Sequence, residues 1–115
     1  MYNILVCDDD REIVDAIEIY LTQEGYHVLK AYDGMQAIQM LEREEIQLLI
    51  IDVMMPKLDG IRATLKIREK SSIPIIILSA KSEDVDKILG LNSGADDYVT
   101  KPVNPLELVA RVKSQ

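Results

Sequence analysis

The sequence contains no phenylalanine and no tryptophan, and it has one cysteine and one histidine among 115 residues. A core without large aromatic side chains has to be built from Ile, Leu, Val and Met, which favours a layered α/β interior. A single cysteine excludes an intramolecular disulfide, and the position of Cys7 in an apolar run predicts a buried thiol in a reducing compartment. The length suits one domain that folds without disulfides or structural metals.

No apolar run approaches the ~20 residues that a membrane span needs, so we expect a cytoplasmic protein that does not contact a membrane. Positive charge is also scarce: 13 Lys and Arg stand against 20 Asp and Glu, a formal net charge of −7. Because such a domain repels phosphate backbones, we expect no direct binding of DNA by these residues. His27, the one histidine, is expected to be structural or solvent-facing.

Short β-branched apolar runs alternate with segments of helical spacing. Strands are predicted at Asn3–Cys7, His27–Ala31, Leu48–Asp52, Ile75–Leu78 and Asp97–Thr100. Helical spacing joins Ile13, Ile17 and Leu21; Ala37, Ile38 and Leu41; Leu58, Ile61 and Leu65; Val85, Ile88 and Leu89; and Leu108, Val109 and Val112. Continuous apolar runs are typical of parallel strands that are covered on both faces. The pattern therefore predicts an α/β fold, a five-stranded parallel sheet with helices on both faces.

Local signals agree with this division of the chain. Gly25 can end the first helix, Asp33-Gly34 turns into the second, Gly60 lies near the start of the third, and Pro105 suits the first turn of the last helix. Asp10 is predicted to cap or begin the first helix.

Polar residues stand at the carboxyl ends of four predicted strands: Asp8, Asp9 and Asp10 after the first, Asp52 at the third, Ser79 at the fourth, and Thr100-Lys101-Pro102 at the fifth. Right-handed crossovers bring these ends to one edge of the sheet, where ligands of such folds bind. Three neighbouring carboxylates repel one another and would take up a proton or recruit a cation. Oxygen ligands with an open side favour Mg²⁺.

Lys101 and Ser79 could hold a phosphoryl group from the side opposite the metal. Asp52 could then be a nucleophile that forms an aspartyl phosphate, a reaction that depends on positioning and charge neutralisation. Taken singly, each residue has a simpler interpretation: a helix cap, a polar strand end, a turn hydroxyl or a surface charge. Suitable residues at four strand ends of one sheet favour the joint interpretation.

These residues resemble, in order and spacing, the motifs of the two-component response-regulator receiver domain, and the resemblance covers essentially the whole chain. The matching segments are Ile4–Asp10 (ILVCDDD), Ile51–Pro56 (IDVMMP), Leu58–Gly60 (LDG), Ile77–Ala80 (ILSA) and Gly94–Pro102 (GADDYVTKP). The resemblance implies the flavodoxin-like (βα)5 receiver fold, and a signalling switch rather than an enzyme with turnover. The phosphoryl donor would be a sensor histidine kinase.

The resemblance also implies a role for each site residue. Asp52 would be the phosphorylated residue, Asp9 and Asp52 would bind Mg²⁺ directly, and Asp8 would assist through water. The backbone carbonyl of Met54 would complete the protein ligands, while the side chains of Met54 and Met55 are expected to pack. Ser79 and Lys101 would contact the phosphoryl group, Lys101-Pro102 would be a cis peptide, and Tyr98 would be the aromatic switch.

The last third of the chain is similar to the OmpR/PhoB class, whose receivers form homodimers on phosphorylation through the fourth helix, fifth strand and last helix. By that similarity, Lys87 would pair with Glu107, and Asp97 with Arg111, across the dimer. The apolar centre would include Ile88, Leu91 and either Val109 or Ala110. We expect residues 1–115 to be the receiver, with transcriptional control and DNA binding provided by a C-terminal domain outside this sequence.

Three alternatives stay open. A Mg²⁺-dependent phosphatase or phosphomutase would need a second acid two residues after Asp52, where this chain has Met54. A flavin- or nucleotide-binding module would need a glycine-rich phosphate loop after the first strand, where this chain has acids. A degenerate receiver would act as a protein-binding scaffold without phosphorylation.

Overall fold

The computed structural model describes residues 1–55, 57–80 and 92–115. Its strands are β1 (Asn3–Cys7), β2 (His27–Ala31), β3 (Leu48–Asp52), β4 (Ile75–Ser79) and β5 (Asp97–Thr100). They form one sheet in the order β2-β1-β3-β4-β5, with every neighbouring pair parallel. The helices of these described ranges are α1 (Arg11–Thr22), α2 (Gly34–Arg43), α3 (Gly60–Arg68) and the C-terminal helix (Pro105–Ser114). The helix predicted around Val85, Ile88 and Leu89 lies outside the described residues.

Helices cover both faces of the sheet, as predicted. One face packs against α1 and the C-terminal helix, through Val14, Ile17, Leu21, Leu108 and Val112. The other face packs against α2 and α3, through Ala37, Ala63 and Ile67. The apolar residues of β3, from Leu48 to Ile51, have no solvent exposure. Each such side chain contributes roughly 1.5–3 kcal/mol by leaving water, so burial of β3 stabilises the fold substantially.

The core-facing side of α3 differs from the predicted one. Of the three residues with helical spacing, Leu58 and Ile61 pack against the core, although Leu58 precedes the helix, and Leu65 is 52% exposed. The residues that α3 buries are Gly60, Ala63, Thr64 and Ile67. Small side chains allow the first turns of α3 to lie close to the sheet. A sequence pattern based on large apolar residues does not identify these small residues as buried.

Side chains of polar residues cap the described helices. Asp10 accepts a hydrogen bond from the N–H of Glu12 at 3.0 Å, which confirms its predicted capping role. Asp33 and Asp59 do the same for α2 and α3, and Asn104 caps the C-terminal helix, whose first residue is Pro105. Each cap contributes about 1 kcal/mol. These caps fix where each helix begins relative to the strand before it.

Cys7 is buried, as predicted, with no exposed surface. Its Sγ lies 3.3 Å from the carbonyl oxygen of Asp33 and 3.6 Å from Sδ of Met55. Burial, and then the nearby charges of Asp33 and Asp8, raise the pKa of the thiol far above its usual range. The thiol therefore stays protonated. His27 is exposed, with Nδ1 3.1 Å from Oδ1 of Asn3, so its predicted peripheral position is confirmed.

Candidate functional site at the carboxyl edge of the sheet

Three acids meet where β1 and β3 end. These strands are adjacent, with Cys7 opposite Ile51 in the register, so the next residues, Asp8 and Asp52, lie side by side. One carboxylate oxygen from each of Asp8, Asp9 and Asp52 lies within 4.8 Å of the other two. Asp8 is fully buried, Asp52 is 3% exposed and Asp9 is open to solvent. The predicted convergence of these three acids is therefore seen in the structure.

Lys101 links two of the acids. Its Nζ lies 2.8 Å from Oδ2 of Asp8 and 3.1 Å from Oδ1 of Asp52. Its backbone N–H donates to the carbonyl oxygen of Ser79 at 2.6 Å, so β4 helps to place it. The contact between Lys101 and Asp8 is a buried ion pair, because the side chain of Asp8 has no exposed surface and that of Lys101 is 18% exposed. Among the residues that the structure describes, one ammonium, that of Lys101, pairs with two of these three carboxylates.

This imbalance appears in the proton affinities of the acids. Burial, followed by the charge of Asp8, raises the pKa of Asp52 to about 6, although Lys101 acts in the opposite direction. Burial also raises the pKa of Asp8. For Lys101, burial alone would lower the pKa, but its pairing with Asp8 and Asp52 outweighs that effect and the pKa is raised. Within the described residues, the site therefore holds more acidic than basic side chains.

The residues fit a divalent cation. The three acids offer only oxygen ligands and are close enough to share one ion, and burial followed by the charge of Asp8 raises the pKa of Asp52, a cost that a bound cation would relieve. Oxygen ligands on one side of an ion, with the other side open, are what Mg²⁺ prefers in proteins. The acid set is thus suited to Mg²⁺.

The expectation that both methionines after Asp52 pack is wrong for Met54. Its side chain is 72% exposed, whereas Met55 packs in the apolar layer beside Cys7. The space under the loop accommodates one of the two side chains and leaves the other in solvent. The side chain of Met54 is therefore no part of the core, and only its backbone carbonyl is a candidate ligand.

Ser79 and Tyr98 lie where the sheet order places them. Ser79 is the last residue of β4, 3% exposed and in register with Thr100 of β5. It belongs to the same edge as Asp52, because β4 is the neighbour of β3. Tyr98 is partly buried further back along β5, with its ring centroid 6.0 Å from Cζ of Arg111. The peptide between Lys101 and Pro102 is cis, as the resemblance implies.

The predicted dimer surface is described only in part, because Lys87, Ile88 and Leu91 lie outside the described residues. Arg111 Nη1 donates to both carboxylate oxygens of Asp97 at 3.0 Å, within one chain. Glu107 Oε1 is 3.9 Å from Arg111 Nε. The pairing of Asp97 with Arg111 across a dimer stays a prediction, and it would compete with this internal pair.

Two features of the site went unnoticed in the sequence. One is the direct pairing of Lys101 with Asp8, for which the sequence holds no signal beyond the two strand ends. The other is the role of Gly60, whose Cα lies against the backbone of Asp52. The glycine of the Leu58-Asp59-Gly60 motif could have suggested a close backbone approach, because glycine permits contacts that a Cβ would block.

Comparison with known proteins agrees with the geometry. Residues 4–113 match the family described as the response regulator receiver domain. The chain is 52% identical over 112 residues to the regulatory protein VanRc of Enterococcus gallinarum, covering 97% of this chain and 48% of that protein. It is 47% identical over 112 residues to the response regulator GtcR of Aneurinibacillus migulanus, covering 97% of this chain and 46% of that protein. This chain thus spans about half the length of the curated relatives it matches.

Solved structures show the same fold. The receiver domain of the Francisella response regulator 1452 superposes with a TM-score of 0.93 at 38% identity, covering 99% of this chain and 95% of that one. A two-component response regulator from Clostridium difficile superposes with a TM-score of 0.95 at 30% identity, covering 99% and 94%. The chain belongs to the response-regulator receiver domain family. The predicted family and fold are confirmed, and the helices of the described part include none long and apolar enough to cross a bilayer.

Proposed function

We propose that Asp52 is the phosphoryl acceptor of this receiver, that a sensor histidine kinase is the donor, and that phosphorylation switches the face formed by β5 and the C-terminal helix. The observation that supports this best is the surroundings of Asp52. Its carboxylate is almost buried at a strand end, lies within 4.8 Å of two further acids, and has an ammonium 3.1 Å away. A carboxylate in such a place is ready for nucleophilic attack on a phosphoryl group.

In the proposed transfer, a carboxylate oxygen of Asp52 attacks the phosphorus of a phosphohistidine. An O–P bond forms, the P–N bond breaks, and the electron pair remains on the imidazole nitrogen. Lys101, with its raised pKa, stays protonated and offsets charge on the phosphoryl oxygens. The hydroxyl of Ser79 donates to one of those oxygens after transfer.

Asp9 and Asp52 would hold Mg²⁺ directly, Asp8 would act through water, and the carbonyl of Met54 would complete the protein ligands. The bound ion would supply the positive charge that the three acids lack and that the phosphoryl oxygens require. Asp8 holds Lys101 beside Asp52, because Oδ2 of Asp8 lies 2.8 Å from Nζ of Lys101.

The proposed switch runs from Ser79 to Tyr98. Movement of Ser79 toward the phosphoryl group opens space into which the Tyr98 ring turns, so that two packings of the face interchange. The phosphoryl group shifts the equilibrium between the two packings because it makes better contacts in one of them. Homodimerisation of this face then controls a DNA-binding output domain outside this sequence. A Tyr98 substitution that leaves phosphorylation-dependent dimerisation unchanged would contradict this route.

The direct test is incubation with Mg²⁺ and acetyl phosphate, read by intact mass and by oligomeric state. We expect a phosphoryl-sized mass gain that is lost in Asp52→Asn and kept in Asp15→Asn. Asp15 is a matched control because it is a surface aspartate, 61% exposed in its side chain and paired with Lys30. A mass gain that persists in Asp52→Asn would contradict the assignment.

This experiment, together with a phosphatase assay, separates the alternative functions. A chain that binds Mg²⁺ but gains no mass would be a degenerate receiver that acts as a scaffold. Continuous release of phosphate from a phosphomonoester such as p-nitrophenyl phosphate would indicate a phosphatase. We expect no such turnover, because the position two residues after Asp52 carries the exposed Met54 and no acid.

A further inference from the structure

The loop between β3 and α3, here called the acceptor loop, begins and ends at nearly the same point. The N–H of Gly60 donates to the carbonyl oxygen of Val53 at 3.0 Å, which closes the neck of the loop directly behind Asp52. Met54, the proposed carbonyl ligand, is the next residue inside that neck. The position of Gly60 therefore determines where the backbone leaves the acceptor.

Gly60 has no space for a side chain. A Cβ on this residue would lie 2.0 Å from the carbonyl oxygen of Asp52, 2.8 Å from its carbonyl carbon and 3.1 Å from Cα of Val53. All three are backbone atoms, which cannot rotate away. The far side of Gly60 is also held, because the buried hydroxyl of Thr64 donates to its carbonyl oxygen at 2.7 Å. Gly60 thus lies tightly between α3 and the acceptor residue.

A second glycine contacts the same loop from another helix. A Cβ on Gly34, the first residue of α2, would lie 2.6 Å from the carbonyl oxygen of Leu58 and 3.1 Å from its Cβ. The acceptor loop is therefore in close contact with the first residues of two helices, α2 and α3. Both contacts depend on the absence of a side chain.

We propose that Gly60 and Gly34 are positioning residues of the phosphoryl-acceptor site: their lack of a Cβ lets α3 and α2 hold the acceptor loop, and with it Asp52 and the carbonyl of Met54. This inference rests on the proposed function. Real Cβ contacts are essentially never shorter than 3.0 Å, so a methyl group on Gly60 displaces the Asp52 carbonyl, or α3, by about 1 Å. A displacement of that size in a reacting group costs ~100-fold in rate.

The test compares three single substitutions, Gly60→Ala, Gly34→Ala and Gly25→Ala. Gly25 is the matched control: its φ of 89° makes alanine strained there, but no atom lies within 4 Å of the added Cβ. It follows α1 and is distant in the chain from the acceptor loop. Gly25→Ala therefore lowers stability without pressing on Asp52.

Three readouts are made on each protein: backbone amide chemical shifts of Val53 and Met54 without metal, affinity for Mg²⁺, and the rate of phosphorylation by acetyl phosphate. We expect Gly60→Ala to move the amide shifts, to weaken Mg²⁺ by at least ~10-fold and to slow phosphorylation by ~100-fold. Gly34→Ala should change the same readouts less, because the atoms it meets belong to Leu58 and not to Asp52. Gly25→Ala should stay within about twofold of the parent in affinity and rate.

The inference is wrong if folded Gly60→Ala keeps the parent's amide shifts and Mg²⁺ affinity, or if Gly25→Ala weakens Mg²⁺ as much as Gly60→Ala does. If Gly60→Ala does not fold, Gly34→Ala decides on the same criteria. Failure of the proposed function has a different signature: the parent chain itself would neither bind Mg²⁺ nor gain mass. The metal-free amide shifts would then still decide whether the two glycines position the loop.

Discussion

The amino and carboxyl edges of the sheet contain the same kinds of charged residue, but the charges are paired differently at the two edges. At the amino edge, Arg68 donates to the carboxylate of Asp96 at 2.7 Å and to the carbonyl of Gly94 at 2.8 Å. The same Asp96 oxygen accepts the N–H of Ile75, the first residue of β4, at 2.8 Å. At the carboxyl edge, within the described part of the chain, Lys101 pairs with Asp8 and Asp52, and Asp9 lies in the same acid cluster.

This difference indicates what each edge does. Arg68 and Asp96 neutralise each other and satisfy backbone groups, so their network joins α3 to the start of β5 and needs nothing from outside. At the carboxyl edge, burial and then the charge of Asp8 raise the pKa of Asp52 to about 6, although Lys101 acts in the opposite direction. Unbalanced charge destabilises the isolated domain and is retained where a ligand of opposite charge binds. A cluster of charged side chains is thus a candidate ligand-binding site when charges of one sign outnumber those of the other.

The comparison is tested most strongly by Asp52→Asn. Removing the acid should stabilise the metal-free protein by about 3 kcal/mol near pH 8, because burial raises the pKa of Asp52 from 3.8 to about 6 in the folded chain. An acid whose folded pKa is raised favours folding at low pH and loses that contribution as pH rises to the folded value. The gain should therefore grow between about pH 4 and about pH 7, as read by urea unfolding.

Mg²⁺ should reverse the order of these two proteins. It stabilises the parent by binding the folded state, and it should stabilise Asp52→Asn much less, since one ligand is lost. A parent chain that is already more stable than Asp52→Asn without metal at neutral pH would show that the charge at this edge is balanced after all.

Arg68→Ala tests the other edge. We expect a loss of about 2 kcal/mol in the free energy of unfolding, because the change leaves Asp96 without its ion pair and the carbonyl of Gly94 without its donor. Arg62→Ala is the control: its side chain is 75% exposed, its distance to Asp59 is 3.8 Å, and its loss should be under ~0.5 kcal/mol. Phosphorylation of the folded Arg68→Ala protein by acetyl phosphate should match the parent.

The smallest expected effect concerns backbone strain. At the amino edge the positive φ of 104° belongs to Gly94, whereas in the acceptor loop a φ of 67° belongs to Lys57. A side chain in this region costs free energy that glycine avoids, so Lys57→Gly should change stability by less than ~1 kcal/mol, in the stabilising direction. Thermal unfolding against Lys70→Gly, an exposed lysine just after α3, provides the reference. A clear destabilisation by Lys57→Gly would show that Lys57 has a role beyond its backbone angle.

Much of this arrangement was predictable because strong patterns determine it. The run from Leu48 to Asp52 has one polar residue at its end, and burial on both faces allows only a central strand. Once the strand order is known, the acids, Ser79 and Lys101 have to meet at one edge. Fold and site therefore follow from the same apolar pattern.

The predictions that were wrong or incomplete concern small distances and competition for space. Leu65 has the spacing of a core residue, but α3 turns its small residues toward the sheet and leaves Leu65 exposed. Met54 and Met55 are alike in sequence, and only packing decides that Met55 is the one inside. The glycine in Leu58-Asp59-Gly60 could suggest a close approach of backbones, but only the structure shows that a Cβ on Gly60 would lie 2.0 Å from the carbonyl oxygen of Asp52.

The buried thiol of Cys7 gives the molecule a built-in reporter. Because Sγ has no solvent access and stays protonated in the folded chain, a thiol reagent can modify it only when the sheet opens. Since this is the only cysteine in the sequence, the rate of labelling measures the opening of the sheet at β1 directly. A second cysteine placed on the surface, for example at His27, could be labelled selectively in the native state. Domain opening and attached probes can thus be followed without first removing the natural thiol.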